Sequence, residues 1–357
     1  QGAICFHDLV AAVDAGTPLD DVAGLALVRD GAVVRTPPRR IVGWGELPDC
    51  PWDLIDLAEY RDQQLGARPA REMSRMMAPP GYNGKPFWGI TYFSSFGCPE
   101  PCTFCCSPEM TGLRWKAQPA ERMVDDLCAL HERWGFQTVR FFDANWGVAE
   151  KRVKGFCDGL VAHGSPFWWT SMLQAFSILR YKPETLDAMR DAGLYHVVIG
   201  GETGDGEMLT TVGKHTRKGD NLAAAREMDR RGICSLMTYI LGYPDETAEQ
   251  MLAMLDECRE IAAACPLARP VAWPYRPMPG SALYPRALAL GFRPPERIEG
   301  WGLHGEYHLH ELESWPGQLP AEVVRARALY EHTFTIPRRL LRGPVGRRER
   351  RAQRRRR

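Results

Sequence analysis

The hydrophobic pattern of the chain changes period repeatedly after Trp88, where short β-branched or aromatic runs alternate with longer amphipathic stretches. The short runs have the length of strands, and the longer stretches repeat apolar residues at helical spacing. The pattern therefore predicts strands that alternate with helices. Strands are predicted at 88–93, 138–143, 167–174, 196–201, 234–241 and 270–276, and the helices that follow them include Pro119–Trp134, Lys151–His163, Pro183–Ala192 and Thr247–Ala264.

Six strand–helix units in succession predict an α/β fold in which the strands pair in parallel through right-handed crossovers. Six units favour an incomplete (βα)6 barrel over an open doubly wound sheet. Thr247 and Gln250 have the spacing of a capping box, which predicts where one helix begins. Loops that follow the carboxyl ends of the strands are expected to carry the functional site.

The first part of the chain differs from this repeat. An amphipathic helix is predicted at residues 5–15, and a hairpin at 25–34 turns at Asp30 and Gly31. The proline-rich stretch 46–52 has the composition of a linker. Three regions are therefore predicted: a domain end plus connector (1–80), the barrel (81–295) and a C-terminal extension (296–357).

The composition, with 45% hydrophobic and 25% charged residues, is that of a globular protein with a real core. Eleven cysteines, with neither a secretory signal nor an apolar run of membrane-spanning length, predict a reducing compartment, the cytoplasm. The chain begins at Gln1 within what has the pattern of a domain, so a fragment is expected.

The net charge of +1 hides a strong asymmetry. Residues 338–357 carry eleven arginines and one glutamate, so the rest of the chain is acidic, at about −9. Such a tail is most often a solvated, disordered extension. The alternative is binding of RNA or of another acidic surface.

The most informative motif is a cysteine loop that directly follows the first predicted barrel strand. Cys98, Cys102 and Cys105 have the spacing C-x3-C-x2-C. A structural zinc site closes with four ligands, usually in two pairs, and no second pair occurs in the sequence. Cys106 adjoins Cys105 and would have difficulty reaching the same metal group. Three thiolates favour a 4Fe-4S cluster that leaves one iron open to another ligand.

This loop, placed after the first strand of a six-unit partial barrel, resembles the radical S-adenosylmethionine (radical SAM) superfamily. Further strand-end motifs resemble its cobalamin-associated branch, in which a Rossmann-like cobalamin domain precedes the barrel. Residues 2–60 are similar to the end of such a domain. The motifs are Phe141-Phe-Asp-Ala-Asn145, Ile199-Gly-Gly-Glu-Thr203, Tyr239-Ile-Leu-Gly-Tyr-Pro-Asp-Glu246 and Pro277-Met-Pro-Gly-Ser281.

The resemblance implies that the open iron binds the amino and carboxylate groups of SAM. Reductive cleavage of SAM then gives a 5'-deoxyadenosyl radical, which abstracts hydrogen from an unactivated carbon. A barrel suits this chemistry because it positions the reactants and keeps water away from a reactive radical.

The resemblance also implies roles for the residues at the strand ends. Phe104 is expected to contact the adenine, and Asp143 and Asn145 to bind the SAM amino group, unless they only cap a turn. Glu202 is the candidate for the ribose or methionine portion, although a carboxylate there also suits a helix N-terminus.

Three positions on the third and fifth strands complete the expected SAM contacts. Gln174 is expected to hydrogen-bond SAM or the substrate. Ile240 and Gly242 would let the adenine approach the fifth strand closely, while the alternative for the glycine is a simple strand kink.

Tryptophans and histidines leave further alternatives open. Trp168, Trp169 and Trp273 either line the barrel mouth or pack in the core. His304, His308 and His310 form either a metal or acid/base group or an ordinary surface segment. The cobalamin motif Asp-x-His-x-x-Gly is missing, because His7 is the only histidine before His131 and is followed by Asp-Leu-Val-Ala. Cobalamin is therefore expected in the intact protein and is in doubt for this chain.

The expected function is radical SAM chemistry at carbon, foremost cobalamin-assisted methyl transfer to a small molecule or lipid, and second a tetrapyrrole-type oxidative cyclisation. A reductant such as ferredoxin or flavodoxin is the expected partner. Two other classes remain open: an RNA-modifying methylthiotransferase, for which no extra cluster or RNA-binding domain is visible, and a non-catalytic zinc or electron-transfer module.

Overall fold

The computed structural model describes residues 2–66, 78–82, 86–304, 319–331 and 333, without the side chains of 302–304. His308, His310 and the arginine-rich tail lie outside the described residues. Among the described residues, no helix has both the length and the apolar character needed to span a membrane.

Six parallel strands form the central sheet, and their order in the sheet is their order in the sequence. The first and last strands do not pair with each other, so the barrel is open. This arrangement confirms the predicted α/β partial barrel. In the order in which they lie in the sheet, the strands are β3 (Gly89–Tyr92), β6 (Thr138–Phe141), β7 (Trp168–Leu173), β8 (Leu194–Glu202), β9 (Cys234–Leu241) and β10 (Ala268–Pro274).

Two antiparallel pairs complete the described strands. They are β1 (Ala26–Arg29) with β2 (Ala32–Arg35), and β4 (Ser95–Gly97) with β5 (Trp115–Ala117). Asp30 and Gly31 connect the first pair with φ angles of 49° and 76°, as a two-residue turn with positive φ at both positions requires. The predicted hairpin is therefore confirmed.

Helices follow the strands and cover the outer face of the sheet. Thr247 caps one of them, because its hydroxyl accepts from the backbone N–H of Gln250 and the Gln250 side chain accepts from that of Thr247. The capping box is confirmed. The helices are α1 (Gly2–Ala15), α2 (Leu57–Gly66), α3 (Ser107–Thr111), α4 (Ala120–Trp134), α5 (Glu150–Ala162), α6 (Ala175–Arg180), α7 (Pro183–Asp191), α8 (Gly206–Thr211), α9 (Asp220–Asp229), α10 (Ala248–Ala264), α11 (Tyr284–Ala289), α12 (Ile298–His304) and α13 (Ala321–Tyr330).

The open edge of the barrel at β3 is covered by a side chain. Gln64 on α2 donates from Nε2 to the carbonyl of Gly89 at 2.9 Å, and its Oε1 accepts from the N–H of Gly89 at 3.1 Å. Trp52 stacks on Tyr92 with ring centroids 6.4 Å apart. An unpaired strand edge invites association with other strands, and these contacts block it.

The sheet has an outer face toward the helices and an inner face toward the barrel lumen. Val197 and Ile199 are fully buried in the outer core, whereas an added Cβ on Gly200 would point at Glu202 and Lys214. Because side chains alternate along a strand, His196, Val198 and Gly200 share the inner face.

Trp169 belongs to the outer core and not to the barrel mouth. It is fully buried, and its ring lies 5.0 Å from that of Trp146 and 5.5 Å from that of Phe156. Its indole N–H donates to the carbonyl of Ala192 at 2.9 Å. Placing Trp169 at the mouth is therefore wrong, because it precedes an irregularity in the pairing of β7 and faces the helices. Trp168 is half-buried and packs edge-on against Tyr195.

Candidate active site

The cysteine loop runs from β4 to α3 above the carboxyl end of the sheet. Gly97 begins it with a φ of 79°, and a Cβ there would collide with the carbonyl of Arg114 on the way to β5. Only glycine fits both constraints. The loop is fastened on its far side, where the N–H of Thr103 donates to the carbonyl of Val212 at 3.0 Å.

The three thiols predicted as ligands lie in one buried neighbourhood. Cys98 and Cys102 are each 8% exposed, and Cys105 is half-buried. Burial raises the pKa of Cys102 to about 12, where Lys214 opposes the shift and Glu202 and the other two thiols add to it. The Cys98 and Cys105 thiols lie close enough to Cys102 to raise its pKa, so the loop brings the three thiols together.

The residues present fit a cluster better than a single ion. Among the described residues, no group of three His, Cys, Asp or Glu side chains is arranged to hold one metal ion directly. A cuboidal 4Fe-4S cluster spans several ångströms, so its thiolates need not converge as ligands of one zinc ion must. Cys106 lies at the start of α3, where the N–H of Ser107 donates to Cys105 Sγ at 3.3 Å.

Asn145 carries the clearest sign of a missing partner. It is 1% exposed, and neither its amide nitrogen nor its amide oxygen has a hydrogen-bond partner among the described residues. Its amide lies beside the Cys98 thiol and lowers the thiol's pKa, against the dominant rise caused by burial. A buried amide without partners costs free energy, and a polar ligand at the cluster loop would satisfy it.

A buried ion pair lies under the loop. Lys214 Nζ lies 3.1 Å from Glu202 Oε1, and it donates to Gln174 Oε1 at 2.5 Å. The side chains of Lys214 and Glu202 are 2% and 9% exposed. Glu202 has a φ of 61°, which few residues other than glycine adopt. This backbone turn directs the carboxylate to Lys214 and places the predicted residues Glu202 and Gln174 together.

Lys214 itself was not predicted. It follows Gly213, whose φ is 71° and where a Cβ would lie 2.6 Å from the carbonyl of Pro101 in the cysteine loop. Charges on Glu202 and Cys102 raise the pKa of Lys214, although burial is the largest single influence and acts in the opposite direction. In the sequence, Lys214 is marked only by the preceding Gly213, and this pair of residues does not indicate that the lysine is buried.

An aromatic group forms the other wall of the site. The ring of Phe104 lies 5.7 Å from that of Tyr243, which lies 5.4 Å from that of Tyr275. Ile240 packs against the same group. The fifth-strand turn is held by Glu246, whose Oε2 accepts from the N–H of Gly242 at 2.7 Å and of Tyr243 at 3.0 Å. Phe104, Ile240 and Gly242 thus lie together on one side of the site, and their contact with SAM stays a prediction.

Asp143 takes the alternative role considered for it. Its carboxylate accepts from the N–H and hydroxyl of Ser94 and from the hydroxyl of Ser95, so it ties the end of β6 to the segment that leads into the cysteine loop. Burial raises its pKa despite those bonds and the nearby Arg152. Its assignment to the SAM amino group stays a prediction, because among the described residues Oδ2 accepts only from the N–H of Ser94, at 3.2 Å.

The remaining predicted positions lie apart from the loop or beyond the described residues. Trp273 is half-buried on β10 and pairs in register with Ile240. His304 ends α12, while His308 and His310 lie outside the described residues, so the histidine segment stays untested.

Comparison with known proteins identifies a domain within the chain. The profile of the radical SAM superfamily matches residues 92–258, which include the three cysteines, Asn145, Glu202 and Lys214. Residues 92–258 form a radical SAM domain. A domain of this kind implies a 4Fe-4S cluster and SAM.

Two curated proteins and one solved structure illustrate the likeness. An uncharacterized methyltransferase of Pyrococcus horikoshii is 26% identical over 290 residues, which cover 81% of this chain and 57% of that protein. An anaerobic magnesium-protoporphyrin IX monomethyl ester cyclase of Synechocystis is 24% identical over 249 residues, 69% of this chain and 44% of that protein.

The solved structure is the radical SAM methyltransferase TsrM of Kitasatospora setae with cobalamin and a [4Fe-4S] cluster bound. It has a TM-score of 0.61 and 17% identity, and the match covers 81% of this chain and 53% of that one. The radical SAM chain described here thus spans about half the length of these relatives.

Proposed function

We propose that this chain provides the catalytic barrel of an enzyme that transfers a methyl group from SAM to carbon. The observation that supports this most is the convergence of three thiols, two of them buried, with the unpartnered amide of Asn145 and the buried Lys214–Glu202 pair at one end of the barrel. A reduced 4Fe-4S cluster, when bound by Cys98, Cys102 and Cys105, supplies the single electron that cleaves a carbon–sulfur bond of SAM.

The polar side chains suit the amino-acid portion of SAM, which carries one positive and one negative charge. Lys214 provides a buried cation for the carboxylate, and Glu202 provides an anion for the ammonium group or the ribose hydroxyls. Charged hydrogen bonds of this kind are strong in a water-poor site. Asn145 can both donate and accept, so its two unpartnered atoms suit a ligand with both kinds of group.

The aromatic wall suits the adenine. Phe104, Ile240 and Tyr243 present an apolar surface beside the cysteine loop, and a flat heterocycle gains from such contacts. Together with the lumen, this wall limits the access of water to the reacting groups.

Methyl transfer is favoured by the likeness to methyltransferases, including the uncharacterized methyltransferase of Pyrococcus horikoshii and TsrM. Cobalamin is proposed as the methyl carrier. It is assigned to the whole protein and not to this chain, because this chain lacks the Asp-x-His-x-x-Gly motif. The proposed substrate is a small molecule or lipid, and the proposed electron donor is ferredoxin or flavodoxin. Oxidative cyclisation is the second candidate, because the Synechocystis relative is a cyclase.

The products of SAM distinguish these candidates. The chain would be reconstituted without oxygen with iron and sulfide, reduced, and supplied with SAM and hydroxocobalamin. Methyl donation leaves S-adenosylhomocysteine, whereas radical formation leaves 5'-deoxyadenosine. Methyl transfer predicts both products and a methylated cobalamin spectrum, while cyclisation predicts 5'-deoxyadenosine alone. Absence of both products in a protein that holds its iron would contradict the proposal.

A further inference from the structure

The inner face of the sheet is layered in a way that the SAM site does not explain. One register row crosses four strands with polar side chains: Arg140 pairs with Thr170, Thr170 with His196, and His196 with Cys234. We call these four residues the lumen floor. On β8 the row lies at His196, near the amino end of the strand and six residues before Glu202, or about 20 Å along the strand.

The next row toward the SAM site is apolar over most of its width. Met172 pairs with Val198 and Val198 with Leu236, and Leu236 then pairs with Arg269 on the last strand. All three apolar side chains are half-buried, so they line the lumen without being sealed inside the core. A molecule lying along them would meet apolar contacts between two polar ends.

Two arginines place cationic charge at and beside the lumen floor: Arg140 lies within it, and Arg269 lies at the end of the next row. Arg140 and Arg269 are exposed, and neither forms an ion pair with any carboxylate among the described residues. The Arg140 guanidinium lies 4.7 Å from the centroid of the Phe142 ring, which holds its planar group at the lumen wall.

His196 is the second, independent sign of a ligand. It is only 7% exposed, and its Nδ1 has no hydrogen-bond partner among the described residues. Burial, together with the nearby charges of Arg140 and Arg269, lowers its pKa to about 4. A neutral imidazole therefore faces the lumen between two arginines. A buried ring nitrogen without a partner calls for an explanation, and an anionic group bound between the arginines supplies one.

We propose that the lumen floor binds the anionic head of an elongated, mainly apolar molecule, whose body lies along Met172, Val198 and Leu236 toward the SAM site. Carboxylates and phosphates match the planar donors of arginine. That this molecule is the substrate of the enzyme rests on the proposed function. Binding itself needs neither the cluster nor SAM.

The test uses calorimetry on the full metal-free chain with four dodecyl probes below their micellar concentrations. Dodecanoate and dodecyl phosphate carry the two possible head groups, whereas dodecanol and dodecyltrimethylammonium share the chain but lack an anion. We expect at least one anionic probe to bind at least tenfold more tightly than dodecanol. The stronger of the two anionic probes identifies the head group. Equal binding of all four probes would overturn the proposal.

Variants then locate the site. Arg140→Gln with Arg269→Gln should weaken the anionic probe at least tenfold, while Arg133→Gln with Arg259→Gln removes the same charge from outer helices and should leave binding within twofold. Arg140→Lys with Arg269→Lys keeps both charges and should retain most of the affinity. This variant distinguishes loss of charge from a folding defect. Equal losses in the glutamine and control variants would refute the location. Because no step uses iron or SAM, failure here differs from failure of methyl transfer.

Discussion

Lys214 Nζ lies 3.1 Å from Glu202 Oε1 in an ion pair that is almost wholly withdrawn from solvent. The two residues come from different segments, the end of β8 and the loop after α8. Their meeting depends on the positive φ of Glu202 and on the close approach of Gly213 to the cysteine loop. The pair thus couples the wall of the barrel to the loop that carries the thiols.

Removing the cation from this pair should be costly. Lys214→Met leaves Glu202 buried without its partner, and we expect a loss of roughly 3–5 kcal/mol in the free energy of unfolding, measured with urea. Lys154→Met is the matched control, because Lys154 pairs with Asp158 at 2.6 Å on the surface, and it should cost less than about 1 kcal/mol. Similar losses of unfolding free energy in both variants would show that the buried ion pair contributes no more to stability than the surface pair.

Asn145→Leu should separate stability from ligand binding. Replacing an unsatisfied buried amide by an apolar side chain of similar size should leave the free energy of unfolding unchanged or raise it by about 1 kcal/mol, while SAM affinity of the reconstituted protein falls at least tenfold. Asn221→Leu serves as the control. Asn221 donates to the carbonyls of Gly201 and Thr203, so its loss should destabilise the protein. A destabilised Asn145→Leu variant with normal SAM affinity would contradict the assignment.

The stability of the chain should depend on pH through Glu246. Burial raises the pKa of this carboxyl to about 7, against the opposing effect of the N–H groups of Gly242 and Tyr243. The folded protein therefore holds the proton more tightly than the unfolded chain, whose value is near 4.5. The resulting stabilisation is complete below pH 4.5 and is lost as the pH rises through 7.

Glu246→Gln keeps an acceptor for both N–H groups and cannot ionise. Relative to the parent protein it should gain about 1–3 kcal/mol in the free energy of unfolding between pH 5.5 and pH 8.5. Glu249→Gln, at an exposed position in the first turn of α10, should show no such pH-dependent gain. The prediction fails if the two variants follow the same pH profile.

Adjacent cysteines provide a direct test of the ligand set. Cys105→Ala should lose most of the iron after anaerobic reconstitution, whereas Cys106→Ala should retain it, because Cys106 begins α3 and adjoins a residue already assigned as a ligand. Iron and sulfide content per chain measure the difference. Equal iron in the two variants would remove Cys105 from the cluster.

The fold was largely predictable because its signals are local and repetitive. Each barrel strand is a short apolar run, the Thr247–Gln250 cap lies within one turn, and the Asp30-Gly31 turn follows from backbone preference. The cysteine spacing and its position after the first strand were equally visible in the sequence.

The features that the sequence did not predict depend on the directions of single side chains. Trp168 and Trp169 are adjacent, and their sequence does not reveal which of them shares the outer face of β7 with Leu173; the structure shows that it is Trp169. Asp143 and Asn145 have similar positions in sequence, yet Asp143 is hydrogen-bonded by Ser94 and Ser95, whereas the Asn145 amide has no partner among the described residues. Lys214 reaches Glu202 through a strained backbone that no periodicity reveals.

The central claim is that Cys98, Cys102 and Cys105 hold a 4Fe-4S cluster with one iron open to SAM. Electron paramagnetic resonance of the reduced, reconstituted chain tests it most directly, with and without saturating SAM. The account predicts about four irons per chain and a cluster signal whose g values shift when SAM is added. A four-iron signal that SAM leaves unchanged, or zinc in place of iron in anaerobically purified protein, would contradict it.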